Sequence, residues 1–153
     1  MADGPTGQTA WVKLPEQEAR ARLAGAPVVR LATADADGKP HVVVATFAVD
    51  VSDGADRIYT AVDHKPKDTR NLKRLRNIAA NPRAAVLADH YEDDWEKLWW
   101  VRADGRARVI EEPGEMAGPI ALLERRYSQY RRNPPEGPVI AISVERWSGW
   151  AFR

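Results

Sequence analysis

The chain has 153 residues, and its 23 Lys and Arg residues nearly balance its 22 Asp and Glu residues, for a formal net charge of +1. This length suits one domain with its own hydrophobic core. A charge so close to zero gives no global field that would favour a nucleic acid or a membrane surface as partner. Because the sequence has no cysteine, disulfides, Cys-based metal sites and thiol catalysis are excluded, and a reducing cytoplasm is the expected location.

The N-terminal residues carry glycine, proline and acid rather than the cationic and apolar regions of a signal peptide. No apolar run is long enough to cross a membrane as a helix. We therefore expect a single domain over residues 1–153, with a flexible N-terminal segment at residues 1–12.

The first part of the chain predicts one helix and a hairpin. Residues 15–23 favour a helix, since proline suits its first turn, two acidic residues favour its positive end and Gly25 follows as a stop. Residues 28–34 and 41–49 are rich in β-branched side chains and flank a turn that contains Asp-Gly and Pro. This pattern predicts two antiparallel strands.

The middle of the chain predicts a strand followed directly by a helix. Residues 58–62 have the composition and length of a strand, and apolar side chains then recur at helical spacing over residues 69–80. Asp68 or Thr69 can cap this helix, and the Asn-Pro pair that follows ends it.

The remaining elements are short strands and one further helix. We predict strands over residues 84–89, 98–103 and 107–110, the last two joined by a turn at Asp104-Gly105. A helix over residues 115–132, started or kinked by Pro119, and a strand over residues 139–144 complete the chain. Short strands separated by turns, with a few helices, are typical of a mainly β fold, here a barrel with helical covers.

One strongly basic segment follows the central strand. Its cations are Lys65, Lys67, Arg70, Lys73, Arg74, Arg76 and Arg83, with Asp68 as the one acid among them. A phosphate bound here would gain charge-assisted hydrogen bonds from the lysines and from the N–H groups at the start of the helix. The alternative is a solvated helix face. No nucleic-acid-binding motif accompanies the segment, so we expect no nucleic-acid partner.

A second cluster, at residues 89–95, combines acidic side chains with His90. Because no second histidine stands at ligand spacing, we predict no metal site. The adjacent Trp99 and Trp100 must point to opposite faces of a strand. One of them can therefore fill the core while the other lines a pocket or a subunit interface.

Sequence motifs for side-chain catalysis are missing. Gly-x-Ser-x-Gly, Walker A and Gly-x-Gly-x-x-Gly do not occur. If the protein is an enzyme, a bound organic cofactor is the expected reactive group. His64, Tyr91 or Tyr59 could protonate a product, but nothing in the sequence ranks them, so no catalytic residue is assigned.

Several short motifs follow one another in a recognisable order. The first are Leu31-Ala32-Thr33, Asp37-Gly38-Lys39-Pro40-His41 and Thr46-Phe47; the next are Ile58-Tyr59-Thr60-Ala61, Lys65-Pro66-Lys67, Leu75-Arg76-Asn77-Ile78 and Asn81-Pro82-Arg83. In this order they resemble the opening strands and the phosphate-binding strand, loop and helix of the pyridoxamine-phosphate-oxidase-like split-barrel family. Residues 77–83 and 93–102 resemble its F420-dependent branch.

The resemblance implies a split β-barrel, mainly β with flanking helices, that works as a homodimer and binds its cofactor between subunits. The implied cofactor is coenzyme F420, a deazaflavin, with FMN as the alternative. The implied phosphate contacts are Lys65 and Lys67, and Arg74 replaces a family lysine nearby. The implied positions beside the ring are Val44, Ala45, Thr46, Thr60 and Ala61. Many relatives carry proline where Val44 stands.

The implied function is an F420-dependent oxidoreductase that transfers a hydride between the reduced deazaflavin and an unsaturated or conjugated organic substrate. The alternatives are an FMN-dependent oxidoreductase and a non-catalytic protein that binds flavin, haem or deazaflavin. A homodimer is also expected because the aromatic surface exceeds what one small core requires. The residues that supply this surface are Trp95, Trp99, Trp100, Trp147 and Trp150.

Overall fold

The computed structural model describes residues 10–62 and 72–153. Its strands are β1 (Trp11–Lys13), β2 (Val29–Ala34), β3 (Pro40–Ala45), β4 (Ala48–Asp50), β5 (Arg57–Ala61), β6 (Arg83–His90), β7 (Trp99–Ile110) and β8 (Val139–Phe152). Its α-helices are α1 (Glu16–Ala24), α2 (Lys73–Ala80), α3 (Pro113–Arg126) and α4 (Ser128–Arg132), and short 3₁₀ turns cover Ser52–Gly54 and Trp95–Lys97. No helix in the described ranges is both long enough and apolar enough to span a membrane.

The strands form one antiparallel sheet in the order β3-β2-β6-β7-β8-β5-β4, with β1 beside β8. The long strand β8 has two neighbours on the same edge. Its residues 139–143 pair with β5, and its residues 150–152 pair with β1. The predicted hairpin is confirmed, because β2 and β3 pair from Val29 opposite Ala45 to Ala34 opposite Pro40.

The segment from β3 to β4 connects the two edges of the sheet. Residues 41–49 were expected to form one strand, but the structure divides them at Thr46 and Phe47. Before this break the chain pairs with β2, and after it Ala48 pairs with Tyr59 of β5. One nearly continuous segment therefore forms the strands at both edges of the sheet. We call residues 46–47, where it passes from one edge to the other, the crossover.

The inward side chains of the strands meet in one core. This core takes residues from both ends of the sheet, and its fully buried members include Leu31, Phe47, Ile58, Val86, Val101 and Ile142. Side chains from the two ends can share a core only if the sheet curls, so the predicted barrel is confirmed. Helix α1 covers one end of it through Ala19 and Leu23.

A second apolar cluster covers the outer face of β4, β5 and the first half of β8. Its members are Ala48, Tyr59, Ala61, Ile110, Met116, Leu123, Tyr130, Val139 and Ala141. Helices α3 and α4 supply the covering side chains, so these strands are buried on both faces. That explains why residues 58–61 and 139–142 are buried without alternation, with Thr60 as the one polar side chain among them.

Three sequence expectations are wrong in detail. No turn occurs at Asp104-Gly105, because β7 runs through both residues with a register shift against β8. The helix expected over residues 115–132 ends at Arg126 and resumes at Ser128, since Tyr127 is extended (φ −124°, ψ 119°). Trp11 and Val12, expected in a flexible segment, belong to β1.

The bulge at Gly105 results from a close backbone approach. A Cβ atom at this position would lie 2.1 Å from the carbonyl oxygen of Ser143 on β8. Only glycine lets the two strands stay paired here, and the Asp-Gly sequence that indicated a turn instead marks a β-bulge.

We predict that Gly105→Ala lowers the free energy of unfolding by roughly 1–3 kcal/mol, because the clash is with backbone and cannot be relieved by a rotamer change. Urea denaturation measures the effect. Gly25→Ala is the control, since Gly25 has an ordinary φ of −85° and its added Cβ would have no neighbour closer than 3.6 Å. Equal stability of the two variants would contradict the close approach.

Candidate functional site

The described residues assigned to the cofactor from the resemblance lie in two places, at or beside the crossover and in the first turn of α2. Lys65 and Lys67 lie outside the described residues. The described chain stops at Val62, directly after β5, and resumes at Leu72, directly before α2. The two lysines therefore belong to the connection between these elements.

The five residues assigned to positions beside the cofactor ring divide between the two faces of the sheet. Val44 is 64% exposed on the outer face, and Thr46 follows it in the same alternation. Ala45 packs against the barrel core, Thr60 is 4% exposed, and Ala61 is buried under α3 and α4. The side chains of Val44 and Thr46 point outward, Ala45 and Thr60 point inward, and Ala61 points outward but is covered by α3 and α4. A ligand on the open face would therefore meet the last three positions through backbone atoms.

The crossover is held by two tyrosines from the helical cover. The Tyr127 hydroxyl accepts a hydrogen bond from the Phe47 N–H (3.1 Å) and donates one to the Pro27 carbonyl (3.1 Å). The Tyr130 hydroxyl is hydrogen-bonded to Thr46 Oγ1 at 2.8 Å. These bonds fix both residues of the crossover relative to α4 and to the start of β2.

Helix α2 begins with basic residues at its positive end. Lys73, Arg74 and Arg76 lie in its first turn or directly after it, and the turn contains no acidic residue. Within the described part of the chain, no side chain caps the helix. Cations next to the positive end of a helix dipole are unfavourable. A bound anion would offset this repulsion and accept hydrogen bonds from the first N–H groups.

The position of α2 is set by the β2–β3 hairpin. The Asn77 side chain, 2% exposed, donates to Thr33 Oγ1 at 3.1 Å, and Lys73 Nζ lies 4.0 Å from Asp35 Oδ2. The N–H groups of Lys39 and Asp37 donate to the Asp35 carboxylate and lower its pKa. This carboxylate is therefore ionised at neutral pH. It stabilises the turn between β2 and β3 through these hydrogen bonds, and it attracts the ammonium group of Lys73, the first residue of α2.

The outer face of β3, β2 and β6 has no helical cover among the described residues. Val42 is 61% exposed there, next to the half-buried Ala32, Ala34 and Ala85. Small side chains leave a depression of about 410 Å³ that extends to β7. The crossover thus lies at the boundary between the covered and the open part of the barrel surface.

The two described residues considered as proton donors, Tyr59 and Tyr91, lie in different parts of the structure. His64 lies outside the described residues. Tyr59 is buried under α3, where burial raises the pKa of its phenol, and Tyr91 is exposed near β1. Among the described residues, no group of three histidine or acidic side chains is arranged to hold a metal ion.

An antiparallel barrel with helices over part of its outer face belongs to the split-barrel class of folds. Residues 15–151 match the pyridoxamine 5'-phosphate oxidase family. The match covers most of the chain, and the protein belongs to this family. No functionally curated protein matches the chain in sequence.

Solved structures share the fold at low sequence identity. An FAD-binding protein from Mesorhizobium loti is 23% identical, with 92% of this chain and 96% of that chain aligned at a TM-score of 0.68. The FAD-binding protein from Mycobacterium smegmatis is 18% identical over 93% and 99% of the two chains, at 0.61. The haem storage protein from Vibrio cholerae is 17% identical over 90% and 94%, at 0.64. These likenesses establish the fold.

The two tyrosines behind the crossover were missed by sequence reasoning. Tyr127 and Tyr130 stand in a segment predicted as one continuous helix, and their spacing would then place them on one helix face. The break at Tyr127 is what allows both hydroxyls to reach the crossover. No local signal in the sequence indicates which distant residues they meet, 80 and 84 positions away.

We predict that Tyr127→Phe lowers the free energy of unfolding by about 1–2 kcal/mol, because the Phe47 N–H loses its partner in a partly buried place. Hydrogen exchange of the Phe47 amide should quicken accordingly. Tyr91→Phe is the matched control, since that ring is 58% exposed, and it should change stability by less than about 0.5 kcal/mol. An unchanged exchange rate for Phe47 would show that the hydroxyl does not hold the crossover.

Proposed function

We propose that the protein is an F420-dependent oxidoreductase that transfers a hydride between a reduced deazaflavin and an unsaturated or conjugated organic substrate. When bound, the cofactor supplies the hydride chemistry. The protein supplies binding, orientation and electrostatics, in keeping with the absence of nucleophile motifs from the sequence.

The observation that carries this proposal is the start of α2. It joins cations, N–H groups without a side-chain cap among the described residues, and the positive end of the helix dipole. The connection before it adds Lys65 and Lys67. A phosphate of a flavin-like cofactor provides the anion that this combination favours.

The length of the basic segment supports deazaflavin over FMN. FMN has one compact phosphate, whereas coenzyme F420 carries a phosphodiester and a polyglutamate tail. Seven cations between Lys65 and Arg83 can accompany such an extended anion, while a single phosphate would engage only the first of them. Arg74, in the first turn of α2, is the described residue that we assign to this role.

The crossover is suited to support the ring of the cofactor. Val44 offers an exposed apolar side chain, and β3 pairs with β2 alone, so its other edge can present backbone groups to a polar ring edge. Tyr130 fixes the Thr46 hydroxyl at the end of this strand. We assign no proton donor, since nothing in the sequence ranks the candidates.

A homodimer would complete the site, with the open outer face as its interface. An isologous contact would bury the exposed Val42 and Val44, and it would cover the depression beside Ala32 and Ala85, whose lining also carries both cationic and acidic side chains (Arg83, Asp104, Arg106 and Glu145). Two of the five tryptophans that were expected to supply surface for the dimer, Trp99 and Trp147, instead pack against the core. The Trp147 indole donates to Asp56 Oδ2 at 2.8 Å. Three tryptophans can still contribute to a subunit interface: Trp95, which is 62% exposed, and the cross-strand pair Trp100 and Trp150.

We predict that Lys65→Ala and Lys67→Ala each weaken deazaflavin binding by about one to two decades in Kd, the value of a charge-assisted contact. Cofactor fluorescence measures the Kd, and thermal unfolding should change little. The loss should shrink at high salt because screening already weakens the wild-type contact. Arg125→Ala, on the exposed last turn of α3, is the control. Wild-type affinity in both lysine variants would place the phosphate elsewhere.

Turnover separates the enzyme from a carrier. In stopped-flow mixing with reduced deazaflavin and a panel of conjugated acceptors, we expect oxidation of the cofactor that saturates with acceptor and requires the protein. Reduced FMN run in parallel tests the alternative cofactor. Tight cofactor binding without protein-dependent oxidation by any acceptor would indicate a carrier and would contradict the proposed activity.

A further inference from the structure

Four aromatic rings surround a cavity at the end of the sheet away from α2, and the proposed cofactor site does not use them. Trp11 of β1 stands opposite Phe152 of β8, so both lie on one face. Tyr91 follows β6, and Trp95 begins the 3₁₀ turn before β7. We call Trp11, Tyr91, Trp95 and Phe152 the aromatic box.

The rings are arranged as a floor with walls rather than as a flat stack. The indoles of Trp11 and Trp95 stand nearly perpendicular to the Phe152 ring, at 84° and 87°, with ring centroids 5.6 and 5.7 Å away. The Tyr91 ring lies 6.1 Å from Trp11 at 36°. With Leu98 and Glu92, these residues line a cavity of about 210 Å³.

The box is open to solvent although its rings are large and apolar. Trp95 is 62% exposed, Tyr91 58% and Trp11 38%. Their contacts with one another fix the geometry without filling the space between them. The rings touch one another and all four line one small cavity, so a cation bound there would lie within reach of several π systems.

The charge around the box is negative. Glu92 lines the cavity itself, and Asp93, Asp94 and Glu96 follow in the same loop, against Lys97 alone. Lys97 Nζ lies 3.9 Å from Asp94 Oδ2, and His90 Nε2 is paired with Glu92 Oε2. No lysine or arginine is among the described residues that line the cavity.

We propose that the aromatic box binds a small organic cation, with a quaternary ammonium or methylated amine as the chemical class. Such a cation is attracted to the ring faces, sheds its weakly held water easily and is neutralised by the Glu92 carboxylate. A neutral ligand of the same shape would gain only the burial of apolar surface. An anion such as the proposed cofactor would be repelled, so this site is distinct from the one at α2.

Choline and 3,3-dimethylbutan-1-ol are the test pair because they have nearly the same shape but different charge. Choline carries a quaternary nitrogen where the alcohol carries a neutral quaternary carbon. Titration of the purified protein, followed by tryptophan fluorescence and by calorimetry, should show saturable choline binding at least about fivefold tighter than binding of the alcohol. Equal affinity for both, or no saturation by choline up to tens of millimolar, would overturn the proposal.

Two variants locate the binding. Trp95→Leu should weaken choline binding by about threefold to tenfold, and Glu92→Gln should weaken it while reducing its salt dependence. Tyr91→Phe keeps the ring and should bind as wild type, as should Glu111→Gln, whose side chain lies on an exposed loop before α3. Circular dichroism checks that Trp95→Leu, a change at an exposed position, stays folded.

A second copy of the chain is the competing occupant of the box. Sedimentation of the wild type and of Trp95→Leu decides between them. We expect the same oligomeric state for both, with or without choline. Dissociation of the variant together with a wild type that does not bind choline would assign the box to a subunit interface and overturn the cation site.

Discussion

The crossover at Thr46 and Phe47 is the constraint on which the rest of the structure depends. The chain pairs with β2 before it and with β5 after it, so these two residues link the edges of the sheet and let its inward side chains share one core. Phe47 is itself fully buried in that core. The hydroxyls of Tyr127 and Tyr130 hold the crossover from outside, which couples the helical cover to the closure of the barrel.

The same arrangement divides the outer surface of the barrel into a part covered by helices and a part that is open. On one side of the crossover, α3 and α4 bury β4 and β5; on the other, Val42 and Val44 stay exposed. The basic start of α2 lies on the connection from β5 and is tied to the β2–β3 hairpin through Asn77 and Asp35. These contacts place the cationic start of α2 at the turn end of β3, while the opposite end of the sheet, near Trp95, is acidic and aromatic.

Local chemistry was sufficient to predict much of the fold. The alternation and turn signals of β2 and β3, the helical spacing in α2 and the family motifs together predict the barrel. The features that local sequence did not predict depend on distant residues. The Asp104-Gly105 pair marks a bulge because the Ser143 backbone approaches it. Strand β1 forms because it pairs with the edge of β8 that ends at Phe152. At the site, Val44 is exposed, Ala45 and Thr46 are half-buried, and Thr60 and Ala61 are buried. The burial of Ala61 depends on where α3 and α4 pack, which local sequence does not indicate. The assignments of Lys65 and Lys67 stay predictions.

The central claim is that a pair of these barrels binds deazaflavin at the crossover and the start of α2. Native mass spectrometry of the protein, incubated with equal concentrations of coenzyme F420 and FMN, tests it most directly because it counts subunits and identifies the bound cofactor in one spectrum. The account predicts a species of two 17.1 kDa chains that carries two deazaflavins. A monomer without cofactor, or a dimer that carries FMN alone, would contradict it.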